Sequence, residues 1–279
     1  MQGVRLVARS PMPGLGLSAG ITLTALSLVV LLPIAALVAR GFAMGPAQLW
    51  AAVATERVAA ALALSFRLAL LAAGFNLVFG VALAWVLVRY RFPGRRLIDA
   101  AVDLPFALPT AVAGIALTAL YAPNGAFGAL AADLGLRIAY TQGGIFLALV
   151  FVGLPFVTRT VQPVIEDLDR EVEEASATLG AGRLHTLRHV VLPAIAPAAL
   201  TGFALALARG VGEYGSVIFI AGNIPMRTEI APLLIVIRLE EFDYGAAAAI
   251  GIAMLVIAFA LLLAINATQV WSRRRIGHA

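Results

Sequence analysis

Long apolar runs separated by short clusters of arginine constrain this chain more than any other feature. A helix needs roughly 20 mostly apolar residues to cross a bilayer, and six runs approach that length. They lie at about Leu15–Ala39, Leu68–Val88, Leu104–Tyr121, Gly143–Val157, Val190–Ala208 and Gly245–Val270. With 62% hydrophobic and 13% charged residues, the chain lacks the polar surface of a soluble domain. We therefore predict an all-α, polytopic membrane helix bundle of about six transmembrane helices, with Val217–Ala221 left unassigned.

The arginines predict how this bundle is oriented. Cytoplasmic loops carry an excess of Lys and Arg, and because the chain has no lysine the excess must be arginine. With the N-terminus inside, the inner segments contain Arg5, Arg9, Arg89, Arg91, Arg95, Arg96, Arg159, Arg170, Arg183, Arg188, Arg273, Arg274 and Arg275, and the outer segments contain only Arg40, Arg57, Arg137, Arg227 and Arg238. Six spans with both termini on the cytoplasmic side fit this asymmetry. Arg67 falls at the edge of the second run, where its side chain can extend to the interface.

The longest inner segment, about Arg159–His189, has a composition unlike the rest of the chain. Six acidic residues lie within Glu166–Glu174, ahead of Gly180. Beyond the glycine, apolar residues recur at spacings of three and four, which is typical of one stripe of an amphipathic helix. They are Leu184, Leu187 and Val191. The pattern predicts two short helices joined by a turn.

Local signals indicate where these two helices begin and end. Asp167 or Asp169 can cap the first helix by accepting hydrogen bonds from its free N–H groups. Gly180 can adopt the positive φ that ends it, and Pro193 can begin the next span, where a missing N–H is harmless. We expect a compact helix–turn–helix on the cytoplasmic face; a solvated loop that only orients the bundle is the alternative.

The same segment resembles a motif of a known family. It reads Glu174-Ala175-Ser176, three residues, Gly180, nine residues, then Val190-x-Leu192-Pro193. This resembles the EAA loop of the permeases of binding-protein-dependent ABC importers, whose pattern is EAA-x3-G-x9-I-x-L-P. Two positions depart from the pattern conservatively, with Ser in place of Ala and Val in place of Ile. The glutamate, the glycine and the proline are all kept.

The resemblance implies that the loop couples the bundle to a separate ATPase. In this family the loop docks into a cleft on the ATPase subunit and transmits its closure to the spans. Glu174 would supply charge pairing, Ala175 and Leu179 small apolar contacts, and Gly180 the sharp turn; the coupling set is Glu174, Ala175, Ser176, Leu179, Gly180 and Leu184. The chain contains no G-x-x-x-x-G-K-[ST] loop. We therefore expect no nucleotide site or other cofactor here, and ATP hydrolysis by a partner.

Other segments resemble one subfamily, the T-type permease subunit of bacterial sulfate/thiosulfate importers. They are RYRFPGRR (Arg89–Arg96), DLPFALPTAVAGIAL (Asp103–Leu117), PFVTRTVQPV (Pro155–Val164), RGVGEYGSVIFIAGNIPMRTE (Arg209–Glu229) and LEEFDY (Leu239–Tyr244). The resemblance implies a type I ABC importer permease fold in the bacterial inner membrane. Its partners would be a related W-type permease, a cytoplasmic ATPase dimer and a periplasmic sulfate/thiosulfate-binding protein.

Alternatives to a sulfate permease remain open. A molybdate or tungstate permease shares the coupling loop and a related GE-aromatic-G segment. An ATP-independent carrier or channel is more remote, because it would not need such a loop. An intramembrane enzyme would need convergent ionisable side chains inside the spans. The three histidines, His185, His189 and His278, all lie on the predicted cytoplasmic side, so we expect no catalytic or metal site.

These expectations divide the chain into four parts. A cytoplasmic N-terminal tail covers 1–14, and the first transmembrane helix with its periplasmic connection covers 15–60. The core permease domain covers 61–270 and includes the coupling loop 159–193. A cytoplasmic tail, 271–279, follows.

Two pairs of residues are candidates for the translocation path or its gate. Arg209 and Glu213 are four residues apart, and ionisable groups at membrane depth usually face the bundle interior or a water-filled path; Arg209 is the arginine that we expect deepest in the bundle. A mutually neutralised structural pair is the alternative. Pro105 and Pro109 open the third run and bend it, either beside a pathway or as a purely structural kink.

Overall fold

The computed structural model describes the backbone of residues 15–276 and the side chains of residues 16–268. The predicted N-terminal tail, 1–14, and the last three residues lie outside this range. Within it, the ordered segments are helical. The helices are α1 (Leu15–Leu26), α2 (Leu32–Ala43), α3 (Pro46–Val53), α4 (Glu56–Arg89), α5 (Arg95–Val102), α6 (Leu104–Ala107), α7 (Thr110–Tyr121), α8 (Ala126–Asp133), α9 (Gln142–Asp167), α10 (Arg170–Thr178), α11 (Arg183–Thr186), α12 (Leu192–Val211), α13 (Val217–Ile220), α14 (Ala231–Glu240) and α15 (Tyr244–Ile276).

Five helical stretches of the described chain are long and apolar enough to cross a membrane. They are Gly16–Ala43, Glu56–Arg89, Gln142–Asp167, Arg183–Val211 and Tyr244–Thr268. A sixth is reached when α7 and α8, which meet at a bend of 42°, count as one broken span. The predicted all-α, polytopic bundle is therefore confirmed, although the spans differ in detail.

The third span is where the sequence-based boundaries are wrong. In place of one bent helix over Leu104–Tyr121, the short helix α6 ends at Ala107, Leu108 is extended (φ −88°, ψ 135°) and Pro109 is the N-cap of α7. A residue before proline is driven out of the α region by the proline ring. The prolines therefore break the helix, and the candidate span shifts to Thr110–Asp133.

Two other prolines are accommodated without a break. A π-helical turn, Ser27–Leu31, precedes Pro33, and another, Leu187–Val191, precedes Pro193. Proline lacks an N–H and its ring clashes with the carbonyl one turn earlier, so a widened turn at this point relieves both problems. As a result the continuous helical stretch begins at Arg183, ahead of the predicted start near Val190, while Pro193 lies in the first turn of α12 as predicted.

Two helices also extend beyond their predicted ends. Helix α4 begins at Glu56, so Arg67 lies inside it rather than at an edge. The exposed Arg67 guanidinium donates from Nη2 to the Oε1 of Gln142 at 2.6 Å. Helix α15 continues past the predicted end at Val270 to Ile276.

The centre of the bundle is formed by α4, α9 and α12. Val157 of α9 is fully buried between the other two helices. A Cβ on Gly80 of α4 would lie 2.9 Å from the Val157 Cβ, and one on Gly202 of α12 would lie 2.8 Å from the Val157 Cα. Glycine at both positions lets the helices approach closely, which is how membrane helices gain packing energy. This rigid core positions both ends of the predicted coupling loop.

The connection between the fifth and sixth spans folds back into the bundle. The unassigned stretch forms α13, whose Val217 and Ile220 are buried, and α14 packs against α15 and α4. The Ser65 hydroxyl of α4 accepts from the Ala231 N–H at 2.9 Å. Helix α14 is too short to span a bilayer, so hydropathy alone did not reveal it.

Candidate functional site

The segment between α9 and α12 folds as the predicted helix–turn–helix. Asp169 is the N-cap of α10, and its Oδ1 accepts from the Glu171 N–H at 3.1 Å. Gly180 follows α10 with φ 83°, and α11 then begins at Arg183. The cap at Asp169 and the positive φ at Gly180 are both confirmed. Because a Cβ at Gly180 would have no atom within 4 Å, the glycine is required there by its backbone conformation and not by space.

Internal contacts hold the two short helices together and fasten them to α4. The hydroxyls of Ser176 and Thr186 lie 2.9 Å apart and join α10 to α11. At the end of α4, the Arg89 Nη2 forms an ion pair with the Glu173 Oε1 at 2.7 Å and donates to the Leu168 carbonyl at 2.9 Å. The Arg89 guanidinium also lies 5.4 Å from the centre of the Trp85 ring. The sequence analysis used Arg89 for orientation and as part of a segment that resembles the subfamily, and it missed this anchoring role, for which the sequence holds no local signal.

The outward face of the helix pair is uncovered. Leu179 is 87% exposed and Leu184 is 77% exposed, and Glu174 and Ala175 are exposed beside them. Of the predicted apolar stripe, only Val191 lies in the core, whereas Leu184, at the α11 end of the stripe, faces outwards. The result is a rigid projection with apolar tips and an acidic flank.

Arg209 and Glu213 meet as an ion pair even though α12 ends between them, at Val211. The Arg209 Nη1 lies 2.5 Å from the Glu213 Oε2, and the Glu213 Oε1 accepts from both the N–H and the hydroxyl of Ser216 at 2.9 Å. Internal donors thus satisfy the buried carboxylate. The Arg209 side chain is 35% exposed in this single chain, whereas that of Glu213 is buried. Its guanidinium faces the exterior of this single chain while it remains tied to a buried acid.

The two candidate path segments, far apart in sequence, lie against each other. A Cβ on Gly114 of α7 would overlap the backbone of Ser216, and one on Gly215 would overlap the Thr110 hydroxyl. The turn that contains Glu213 therefore sits directly on the start of α7, one residue from Pro109. Helix-breaking proline, glycines and a buried acid converge at this junction.

A second charged cluster, which the sequence analysis missed, holds the segment before α7 in place at the coupling-loop end of the bundle. Arg159 of α9 donates to both carboxylate oxygens of Asp103 (2.8 and 2.7 Å), to the Asp99 carboxylate (2.5 Å) and to the Asp99 carbonyl (2.7 Å). These bonds tie α5 and the start of α6, which contains Pro105, to α9. At the opposite end, Arg57 makes a bidentate pair with the buried Glu229 at 2.8 and 2.7 Å. Both clusters fix backbone positions around the broken helices.

The described side chains do not form a metal site of the usual kind. No three His, Cys, Asp or Glu residues among them come together as potential ligands. His185 and His189 stack at 4.1 Å between ring centres, at the start of the helical stretch Arg183–Val211.

A polytopic helical bundle with an exposed pair of short helices at one end defines a multi-span membrane protein. The chain belongs to the family of binding-protein-dependent transport system inner membrane components, which it matches over residues 76–278. Two curated relatives are similar over almost their whole length. The sulfate transport system permease protein CysT of Salmonella typhimurium is 49% identical, and that of Escherichia coli is 48% identical; each alignment covers 97% of this chain and 98% of the relative.

Solved structures share the fold at low sequence identity. A crystal structure of a bacterial ABC transporter involved in import of the acidic polysaccharide alginate has a TM-score of 0.75 at 17% identity and covers 94% of this chain and 96% of that one. A complex of a bacterial alginate ABC transporter with its alginate pentasaccharide-bound periplasmic protein has a TM-score of 0.76 at 18% identity, covering 94% and 95%. At this identity the likeness concerns the fold alone.

Proposed function

We propose that this chain is the transmembrane permease subunit of an ATP-binding-cassette importer that carries sulfate or thiosulfate across the bacterial inner membrane. A separate ATPase drives it, and the chain itself has no catalytic site. The observation that carries the proposal is the exposed α10–α11 pair, which is stiff, apolar at its tips and anchored to two helices of the core. The names of the near full-length relatives support sulfate as the substrate.

The contacts that hold α10 and α11 suggest how closure of an ATPase would be transmitted to the membrane-spanning helices. A partner that grips Leu179, Leu184 and the flank around Glu174 would move α10 and α11 as one body, because Ser176 and Thr186 join them. One connection passes through the ion pair between Arg89 and Glu173 into α4. The other passes through the π turn Leu187–Val191 into α12. Helices α4 and α12 pack closely against α9 at Gly80 and Gly202, so they have little room to move relative to it.

The junction between α7 and the turn after α12 is the proposed gate. Rotation of α12 would move Arg209 and Glu213, and with them the Ser216 turn that lies on Thr110. The broken helix at Pro105 and Pro109 lets the start of α7 shift without straining a continuous helix. The partly exposed Arg209 contributes positive potential along the path of a dianion.

The assembly that we propose has the partners implied by the family. A related W-type permease would complete the pathway, a cytoplasmic ATPase dimer would receive the α10–α11 pairs, and a periplasmic sulfate/thiosulfate-binding protein would deliver substrate. Both termini would be cytoplasmic, with the domain division 1–14, 15–60, 61–270 and 271–279.

Reconstitution tests this proposal directly. The chain is co-purified with its ATPase and second permease, inserted into vesicles, and assayed for uptake of labelled sulfate, thiosulfate and molybdate with and without ATP. We expect ATP-dependent uptake of sulfate or thiosulfate. Molybdate uptake in preference to sulfate would reassign the substrate, and uptake without ATP would refute the coupling role.

Reversal of charge at Glu174 isolates the docking surface. Glu174→Arg should abolish ATP-driven uptake while membrane insertion is unchanged, because this exposed side chain makes no described hydrogen bond or ion pair within the chain. Arg137→Glu, a charge reversal on the opposite side of the bundle, is the control. Normal ATPase binding and uptake by Glu174→Arg would remove Glu174 from the coupling surface.

A further inference from the structure

Beyond the coupling loop, the link between α4 and α5 forms a basic cavity of about 560 Å³. Its walls include Arg91, Arg95 and Arg96, and no described ion pair or hydrogen bond involves any of these three side chains. The one acid in the wall, Asp99, is already held by Arg159 at 2.5 Å. The cavity therefore carries uncompensated positive charge.

An apolar groove of about 570 Å³ lies beside this cavity along the side of the bundle. Arg91 and Phe92 line both spaces, so the two are adjacent. The groove runs between α4 and the start of α12 over aliphatic and aromatic side chains, among them Trp85, Tyr90 and Leu192. Trp and Tyr at one end of a membrane helix are typical of the level where headgroups meet acyl chains.

Helix α5, beside these two spaces, has the composition of a helix that lies at a membrane surface. Leu97 is 76% exposed and Ile98 is 42% exposed, next to Arg95 and Arg96 on the same short helix. Apolar and basic residues side by side on an exposed helix favour a position in the interface plane. Because α5 follows Arg89, which contacts the coupling loop, the site lies at the coupling-loop end of the bundle.

We propose that the cavity and groove together bind one anionic phospholipid. The phosphate lies among Arg91, Arg95 and Arg96, as basic pockets at this membrane level hold acidic headgroups, and one acyl chain lies along the groove. A free inorganic anion would use the arginines but leave the groove empty. Because Leu187 of the π turn also lines the groove, the bound lipid contacts the segment that joins the coupling loop to α12.

Native mass spectrometry of the purified full chain tests this site without any transport step, so its outcome is independent of the proposed function. The protein is titrated with phosphatidylglycerol or phosphatidylcholine of the same chain length. We expect phosphatidylglycerol to be retained preferentially. Arg91→Gln/Arg96→Gln should weaken its binding roughly 25-fold, since an arginine near an anionic surface contributes about fivefold.

Two further variants distinguish a seated lipid from general attraction between opposite charges. Arg137→Gln/Arg227→Gln removes the same charge elsewhere and should retain the lipid. Ala82→Trp places a large ring in the groove, whose wall contains the exposed Ala82, and should also displace the lipid while the arginines remain. Equal retention of the two lipids, equal loss in both double variants, or displacement by inorganic phosphate with no effect of Ala82→Trp would each overturn the proposal.

Discussion

Variants at Gly180 can separate the effect of backbone conformation on the coupling loop from the effect of surface charge. Its φ of 83° lies in the left-handed region, where a residue with a Cβ pays about 1–2 kcal/mol relative to glycine. Since nothing lies within 4 Å of the Cβ position, this conformational term is the whole cost of Gly180→Ala. A loss of about 1.4 kcal/mol reduces the population of the ordered turn relative to open forms tenfold.

Four variants at two positions give the expected ranking. Gly180→Asn should retain most ATP-driven uptake, because Asn tolerates the left-handed region. Gly180→Ala should reduce uptake several-fold. Gly180→Asp has nearly the shape of Asn but adds a negative charge to the exposed surface, so its uptake should be abolished through lost docking. Gly182→Ala is the matched control, because Gly182 has φ −70° and open space around its Cβ position.

Uptake in vesicles and co-purification of the ATPase are measured for each variant, together with insertion of the chain. If Gly182→Ala were as damaging as Gly180→Ala, the backbone conformation at 180 would not be the constraint. If Gly180→Asp docked and transported normally, the position would not face the partner.

Three further predictions concern the links behind that surface. Arg89→Lys should keep ATPase docking but lower uptake, since lysine lacks the planar guanidinium that lies over the Trp85 ring while its Nη2 pairs with Glu173 and donates to the Leu168 carbonyl; unchanged uptake would contradict transmission through α4. Arg209→Ala should reduce sulfate uptake and remove the ion pair of the buried Glu213. Arg209→Ala/Glu213→Gln should restore thermal stability but not uptake; full recovery of uptake would show that the pair has only a structural role. Gly202→Val should lower the free energy of unfolding by about 1–3 kcal/mol through overpacking, measured by thermal denaturation in detergent, whereas Gly74→Ala, with open space around it, should not.

Local features of the coupling loop were predictable from sequence because they depend on neighbouring residues only. Asp169 caps α10 through a hydrogen bond two residues away, and Gly180 is needed wherever the backbone turns with positive φ. Proline positions were more ambiguous. The same residue type breaks a helix at Pro109, yet is absorbed by a π turn at Pro193, and the choice depends on the packing around each helix.

Contacts between distant segments could not be predicted from one sequence. The ion pairs of Arg89 with Glu173, Arg159 with Asp103 and Arg57 with Glu229 each join residues from different helices or from a helix and a distant loop. The number and position of the arginines predicted the orientation of the bundle. They could not predict the ion pairs, because each arginine could pair with several acidic residues elsewhere in the chain. The stacking of the Ser216 turn on α7 is likewise a product of helix packing.

Apolar runs of span length were enough to predict a membrane protein, because such runs are most stable in a bilayer. The capping aspartate and the glycine were enough to predict the helix–turn–helix loop. Tertiary structure alone decided which helices form the core, where the third span breaks and which charges meet. The core depends on how closely α4, α9 and α12 approach. The distance between these helices is set by small residues such as Gly80 and Gly202, and only the folded structure shows that both face Val157.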